Sequence, residues 1–321
     1  MIDRRLLVHA FFLTLAPIVV AWFGLSTPAA ILVVLLLLLW RWLVVLSGWV
    51  MPAKTPELEL STISISHFVE KVRWSMDRLG VDYVERPAGG TLGAFYLGRS
   101  VPQLKIRTGA VRSVIGNSAE ILRYLWGRYG YERPAGGFLQ PTPERAELES
   151  RIDRYGRNLQ VWVYYHLLDD RGLTLRAWGA DDPATPSWQR LALRIIHPLQ
   201  VFLIRRSFRI TDANYRKAVE HIEDFLGELE KRLEDDRRSL LGGDEINYTD
   251  IAFAAISGPW SMPQEYAAGC VAAVRFDGPD APADMRRDMA AWTETYPRCT
   301  AFITRLYAQE RRPDERGAPQ E

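Results

Sequence analysis

Residues 60–80 read LSTISISHFVEKVRWSMDRLG and pass from a strand pattern to a helix pattern across a short run of serines. Leu58, Leu60 and Thr62 alternate, and the phase slips at Ile63, which ends the strand there. From Phe68 onward Val69, Val72, Met76 and Leu79 recur at three- and four-residue steps, one face of a helix that Gly80 closes. The stretch is a βα unit whose turn carries Ser64, Ser66 and His67. The first amides of a helix have no partner within it, so this turn is a ready seat for an anion.

Downstream, VDYVER at 81–86 reads as a second strand and is followed by a glycine-rich loop at 88–98. VPQLKI at 101–106 is a third strand with a proline at its entrance, and residues 111–115 form a fourth. Asn117 and Ser118 cap a helix through AEILRYLWGRYG, with Ile121, Leu122 and Leu125 facing inward. The order β, α, β, loop, β, β, α gives an α/β unit over 58–130, and YERPAGGFLQPTP at 131–143 is a linker. Residues 144–311 read as helices at 144–168, 188–209, 212–236, 250–257 and 283–311, and 312–321 as a tail. Asn247 and Asp250 have the spacing of a capping box, a structural device for starting an apolar helix.

Upstream, residues 1–52 form a membrane anchor. Two apolar runs, 6–25 and 29–50, each have the length of a span, and Ser26, Thr27 and Pro28 turn between them as in a helical hairpin. Arg4 and Arg5 precede the first run and Lys54 follows the second, which predicts a cytoplasmic side for both ends and for the body beyond. Arg41 interrupts the second run, and Trp40, Trp42 and Trp49 suit a membrane interface, so one span or two remain open.

At 321 residues the chain holds more than one module. Forty Lys and Arg stand against 39 Asp and Glu, so there is no basic surplus for nucleic acid. Cys270 and Cys299 match no zinc or CxxC spacing and read as buried apolar residues; no metal site is expected.

Four segments, in order, carry a family resemblance. SHFVEKVRW at 66–74 is similar to a pattern of Ser or Cys, Pro, an aromatic, then Lys-Val-Arg; Val101-Pro102-Gln-Leu is similar to a cis-proline turn. Asn117-Ser118-Ala-Glu-Ile-Leu-Arg-Tyr-Leu is similar to Glu/Asp-Ser-x-x-Ile-x-x-Tyr-Leu, and LLGGDEINYTDIAFAA at 240–255 to a Gly-Asp, capping box, Asp-Ile-Ala run. With Trp292, Pro297, Phe302 and Arg305 to Tyr307, residues 58–311 resemble the cytosolic glutathione transferase superfamily, a thioredoxin-like α/β half followed by an all-α half.

The resemblance implies glutathione as co-substrate and no metal. It puts Ser66 at the thiol, with Ser64 as the fallback, the backbone of Val101 and cis Pro102 at the cysteinyl part, and Ser118 at the γ-glutamyl carboxylate. Asn117 stands where the family has a carboxylate for the γ-glutamyl ammonium, and His67 where it has proline; His67 is left as an exposed turn residue, a proton carrier or a contact. In the helical half Trp162 and Tyr165 are candidates for a second-substrate pocket. The implied activity is detoxifying conjugation of a thiol to a hydrophobic electrophile drawn from the bilayer, by a chain that also forms a homodimer. Two alternatives remain: a non-catalytic membrane protein that uses this fold to bind a protein or lipid, and a glutathione-dependent lyase or isomerase.

Overall fold

The structure is a computed structural model that describes residues 16–24, 26–50, 55–63, 65–87, 101–108, 111–234, 237–269 and 274–311. Ser64, Cys270, the loop at 88–100 and the tail at 312–321 lie outside the described residues. The chain divides into two compact units, Met1–Leu58 with Lys105–Val114, and Glu59–Leu104 with Ile115–Glu321.

In the first unit α1 (Ala16–Gly24) and α2 (Thr27–Val50) pack against each other. Leu32, Leu35, Leu36, Leu39 and Leu43 of α2 are exposed, with Trp40, Arg41 and Trp42 among them. Among the described residues no helix is long and apolar enough to cross a membrane; the two apolar runs are features of the sequence.

A four-stranded sheet has the order β2-β1-β3-β4, formed by β1 (Glu57–Thr62), β2 (Val84–Pro87), β3 (Gln103–Thr108) and β4 (Val111–Ile115). β1 and β2 are parallel, Glu59 opposite Val84 and Thr62 opposite Pro87, which requires a crossover, and α3 (His67–Leu79) supplies it. Val69, Val72, Met76 and Leu79 are buried as their spacing predicts. Gly80 ends α3 at φ 62°, where a side chain would be strained, and Val81 N–H donates to Met76 O across the cap. The second strand begins at Val84 rather than Val81; Val81 and Tyr83 are buried beside α3, and Tyr83 donates to Asp77.

In the second unit α4 (Ser118–Leu125) runs on through a wider turn, Trp126–Gly130, and packs on α3. The helical part follows: α5 (Pro143–Leu167), α6 (Arg171–Ala177), α7 (Ser187–Ser207), α8 (Asp212–Arg232), α9 (Tyr248–Ser261), α10 (Ala283–Thr295) and α11 (Pro297–Glu310). Two features depart from the sequence reading. α6 is a short helix started by the Asp170 side chain, which accepts Leu173 N–H. The single helix expected over 283–311 is two, because Pro297 has no N–H to continue the ladder and begins α11 instead. α9 is buried all round from Tyr248 to Trp260, packs against α3, α5 and α11, and is the centre of the unit.

Candidate functional site

α3 is held more firmly than its apolar face alone would hold it. Glu70, Lys71 and Arg73, which would occupy a solvated face in a surface helix, have at most 1% of their surface exposed. Lys71 Nζ lies 2.8 Å from Glu149 and 3.1 Å from Asp153, and Glu149 also takes Arg123. Arg73 pairs with Glu70 and Glu85, and Arg311 reaches back from the end of α11 to Glu70 and Asp77. Burial alone would raise the Glu85 carboxyl; its hydrogen bond and charge contact with Arg73 outweigh burial and hold it below the usual range. Charges this deep are tolerated only when paired, so these ion pairs fix where α3 lies.

Its N-terminal turn is fastened from the same side. Glu149, Asp153 and Gly156 lie on one face of α5 at four- and three-residue steps. His67 Nε2 donates to Gly156 O at 3.2 Å, and Tyr266 OH donates to Ile65 O at 2.7 Å. The close approach requires glycine: a Cβ at position 156 would sit 2.9 Å from Phe68 Cζ and 3.0 Å from Ile256 Cγ2. His67 is therefore not an exposed turn residue. It is 6% exposed, and burial lowers its pKa to about 4 against the opposing pull of the Gly156 bond. At neutral pH it is an uncharged imidazole whose one proton is committed to Gly156.

Ser66 is the N-cap of α3, half-buried and extended at φ −72°, ψ 116°, and its hydroxyl makes no cap bond. This differs from the other Thr and Asp N-caps: Thr142, Asp170 and Thr211 each accept an amide of their own helix. Asn117 does the same at α4, its Oδ1 accepting Ala119 N–H at 3.2 Å, so its carbonyl is committed to the helix. Ser118 follows as a buried first residue. The Val101–Pro102 bond is cis, Val101 is half-buried and Pro102 buried, and β3 starts at the next residue. Within the second unit α4, which Asn117 and Ser118 begin, packs against α3, which Ser66 begins.

The aromatic candidates lie in the last turns of α5. Trp162 is fully buried, with its indole N–H given to Asp288 at 2.9 Å, so it is a core residue without surface for a substrate. Asp288 also accepts from Tyr215 OH at 2.7 Å and from His166 Nε2 at 3.3 Å. Burial would raise the Asp288 carboxyl, and these donors together hold it below its usual range. Tyr165 stacks on Tyr215 at 3.9 Å and donates to Asp212. With His166, Asp169, Arg205 and Thr211 it lines a cleft of about 390 Å³, polar rather than apolar. Asp288 and Tyr215 gave no sequence signal, because each is a single polar residue on an otherwise ordinary helix.

Among the described residues no group of three His, Cys, Asp or Glu side chains is arranged to hold a metal ion. Cys299 is buried, its thiol directed at Leu226 O, and burial with Glu230 nearby pushes its pKa up, so it is no nucleophile.

No family model matches the chain, and no curated protein does. Among solved structures, a glutathione S-transferase from Methylobacterium radiotolerans in complex with glutathione sulfonate is 16% identical, over 79% of this chain and 91% of that one, with a TM-score of 0.46. A glutathione transferase family member from Pseudomonas fluorescens with two glutathione bound is 14% identical, over 83% and 94%, with a TM-score of 0.46. A theta class glutathione S-transferase from Xanthomonas axonopodis pv. citri with glutathione bound is 17% identical, over 80% and 97%, with a TM-score of 0.41.

Proposed function

We propose that the chain is a membrane-attached glutathione-transferase-like protein in which Ser66 holds a small thiol, glutathione, as its thiolate. The observation that carries this reading is the Ser66 hydroxyl: it sits at the start of a rigidly held helix and is not spent on a cap. A free thiol of pKa ~8.5 is mostly protonated at neutral pH, and a helix N-terminus with a charge-assisted hydroxyl bond favours the anion. The thiolate would attack an electrophilic carbon, forming an S–C bond as the leaving group departs with the bonding pair. Val101 and Pro102 would hold the cysteinyl part of the peptide, and Ser118 the γ-glutamyl carboxylate at the start of α4.

Asn117 supports a second, non-catalytic reading. A neutral amide that caps its own helix replaces the carboxylate expected to meet an ammonium, and losing a charge-assisted contact of about 1.5–3 kcal/mol weakens binding roughly ten- to a hundredfold. Membrane attachment is carried by the apolar runs 6–25 and 29–50, with the basic flanks placing the body, 58–130 and 144–311, on the cytoplasmic side.

Calorimetric titration of glutathione into the full chain in detergent, with the thiolate band of the bound peptide followed against pH, tests the proposal. Binding with a lowered thiol pKa in the wild type, and an ordinary pKa in Ser66→Ala, is expected. No heat in the wild type refutes the transferase reading and leaves the binding module.

A further inference from the structure

α7 presents a mixed face to the fold and an apolar face away from it. Leu193, His197, Gln200 and Ile204 point inward, and Leu193 and Ile204 join a buried cluster with Val161, Leu168, Trp178 and Ile210. On the opposite side Trp188, Leu191, Ile195, Leu199 and Phe202 recur at three- and four-residue steps and are each 52–68% exposed. An aromatic side chain presents about 150–250 Å², so five large residues exposed by half or more make a patch on the order of 500 Å². A patch on the order of 500 Å² matches the largest apolar patch of an ordinary monomer, which is often functional, so its surroundings decide its role.

Its electrostatic setting identifies what that something is. α7 contains four arginines and no Asp or Glu. Arg194 is paired with Asp181 and Arg205 with Asp169. Arg206 continues the apolar line one turn beyond Phe202, and with Arg205, Arg209 and Lys217 it lines a shallow cleft of about 590 Å³. Arg206, Arg209 and Lys217 form no ion pair among the described residues. An apolar stripe with a tryptophan at one end and uncompensated cations at the other matches a surface that is hydrocarbon below and anionic above.

We propose that the outer face of α7 docks on an anionic phospholipid bilayer, the helix lying in the interface plane with Phe202, Leu199 and Ile195 among the acyl chains and Arg206, Arg209 and Lys217 on headgroup phosphates. This docking rests on α7's own residues and not on the N-terminal runs.

Ile195→Cys in the full chain, labelled with an environment-sensitive fluorophore, reports the contact, with Glu294→Cys on α10 as the exposed control. Vesicles of phosphatidylcholine, alone or with about one third phosphatidylserine, carry a quenching lipid. Quenching at position 195 severalfold above that at 294 is expected in the anionic vesicles only. Each Lys or Arg near such a surface strengthens attachment about fivefold, so Arg206→Glu, Arg209→Glu and Lys217→Glu combined should weaken it on the order of a hundredfold. Equal quenching at 195 and 294, or quenching indifferent to both lipid charge and the triple substitution, overturns the proposal. So does a label that is shielded in detergent without lipid: dependence on protein concentration would then assign the face to a second copy, and independence to another part of this chain. Flotation that survives alkaline carbonate reports the N-terminal runs separately, so the two membrane readings fail independently.

Discussion

Ser66 and His67 are adjacent and make opposite demands on the same turn. The Ser66 hydroxyl contributes nothing to its helix, so Ser66→Ala should change stability by no more than about 0.5 kcal/mol, whereas Thr211→Ala, which removes a real cap bond to Asn214 N–H, should cost about 1 kcal/mol. Urea unfolding of the two variants checks this; an equal loss would mean that Ser66 is an ordinary cap and would remove the main support for a thiol seat. His67 is structural and carries a pH dependence. An unfolded histidine takes up its proton near pH 6.5 and the folded one near pH 4, so between those values the unfolded chain binds more protons. Stability from this group is complete above pH 6.5 and is lost as pH falls, by about 3 kcal/mol at pH 4. Asp250, whose carboxyl burial pushes up to about 6, acts in the opposite sense over pH 6 to 4 and cancels when variant and wild type are compared. His67→Gln should flatten the acid limb of stability against pH; parallel curves would rule out His67 as its source.

At the scale of elements, most of the architecture was legible in the sequence, because it depends on periodicity and caps that sit within a few residues of each other. The βα unit from Leu58 to Gly80, the strand at 111–115 and the capping box at Asn247 all follow local rules, and each is present. Illegible features were those that join residues far apart in the chain. Lys71 and Arg73 read as part of a motif, and nothing local shows that Glu149, Asp153 and Glu85 wait to neutralise them. Trp162 was read as a pocket residue for the same reason: Asp288, which consumes its N–H, lies 126 residues away. The capping box also holds more than its own helix. Asp250 accepts Asn247 N–H, Leu240 N–H and Ser239 Oγ–H, each at 2.7–2.8 Å, joining the preceding loop to α9. Asp250→Ala leaves these buried donors without an acceptor and should cost about 2–4 kcal/mol; a loss below 1 kcal/mol in chemical denaturation would show that water replaces the carboxylate freely.

Over the whole of the second unit, the ion pairs join the beginning of the α/β part to the end of the last helix. Glu70 on α3 lies between Arg73, three residues on, and Arg311, 241 residues away, with both guanidinium contacts at 2.7–2.8 Å and all three side chains almost free of solvent. Apolar packing is tolerant of small shifts, whereas a buried carboxylate with two cations is not, so this triad sets the position of α11 against α3. Arg311→Gln removes one cation from Glu70 and from Asp77 and should destabilise by about 3–5 kcal/mol, because a charge is left buried with less compensation. Glu70→Gln likewise removes one anion from Arg73 and from Arg311, leaving them with Glu85 and Asp77. The double variant should be less damaging than the two losses added, with a coupling of about 1–3 kcal/mol, since each change relieves the charge that the other exposes. Strict additivity in that double-mutant cycle, read from urea midpoints at constant slope, would show that the two ends of the unit are held by apolar packing alone.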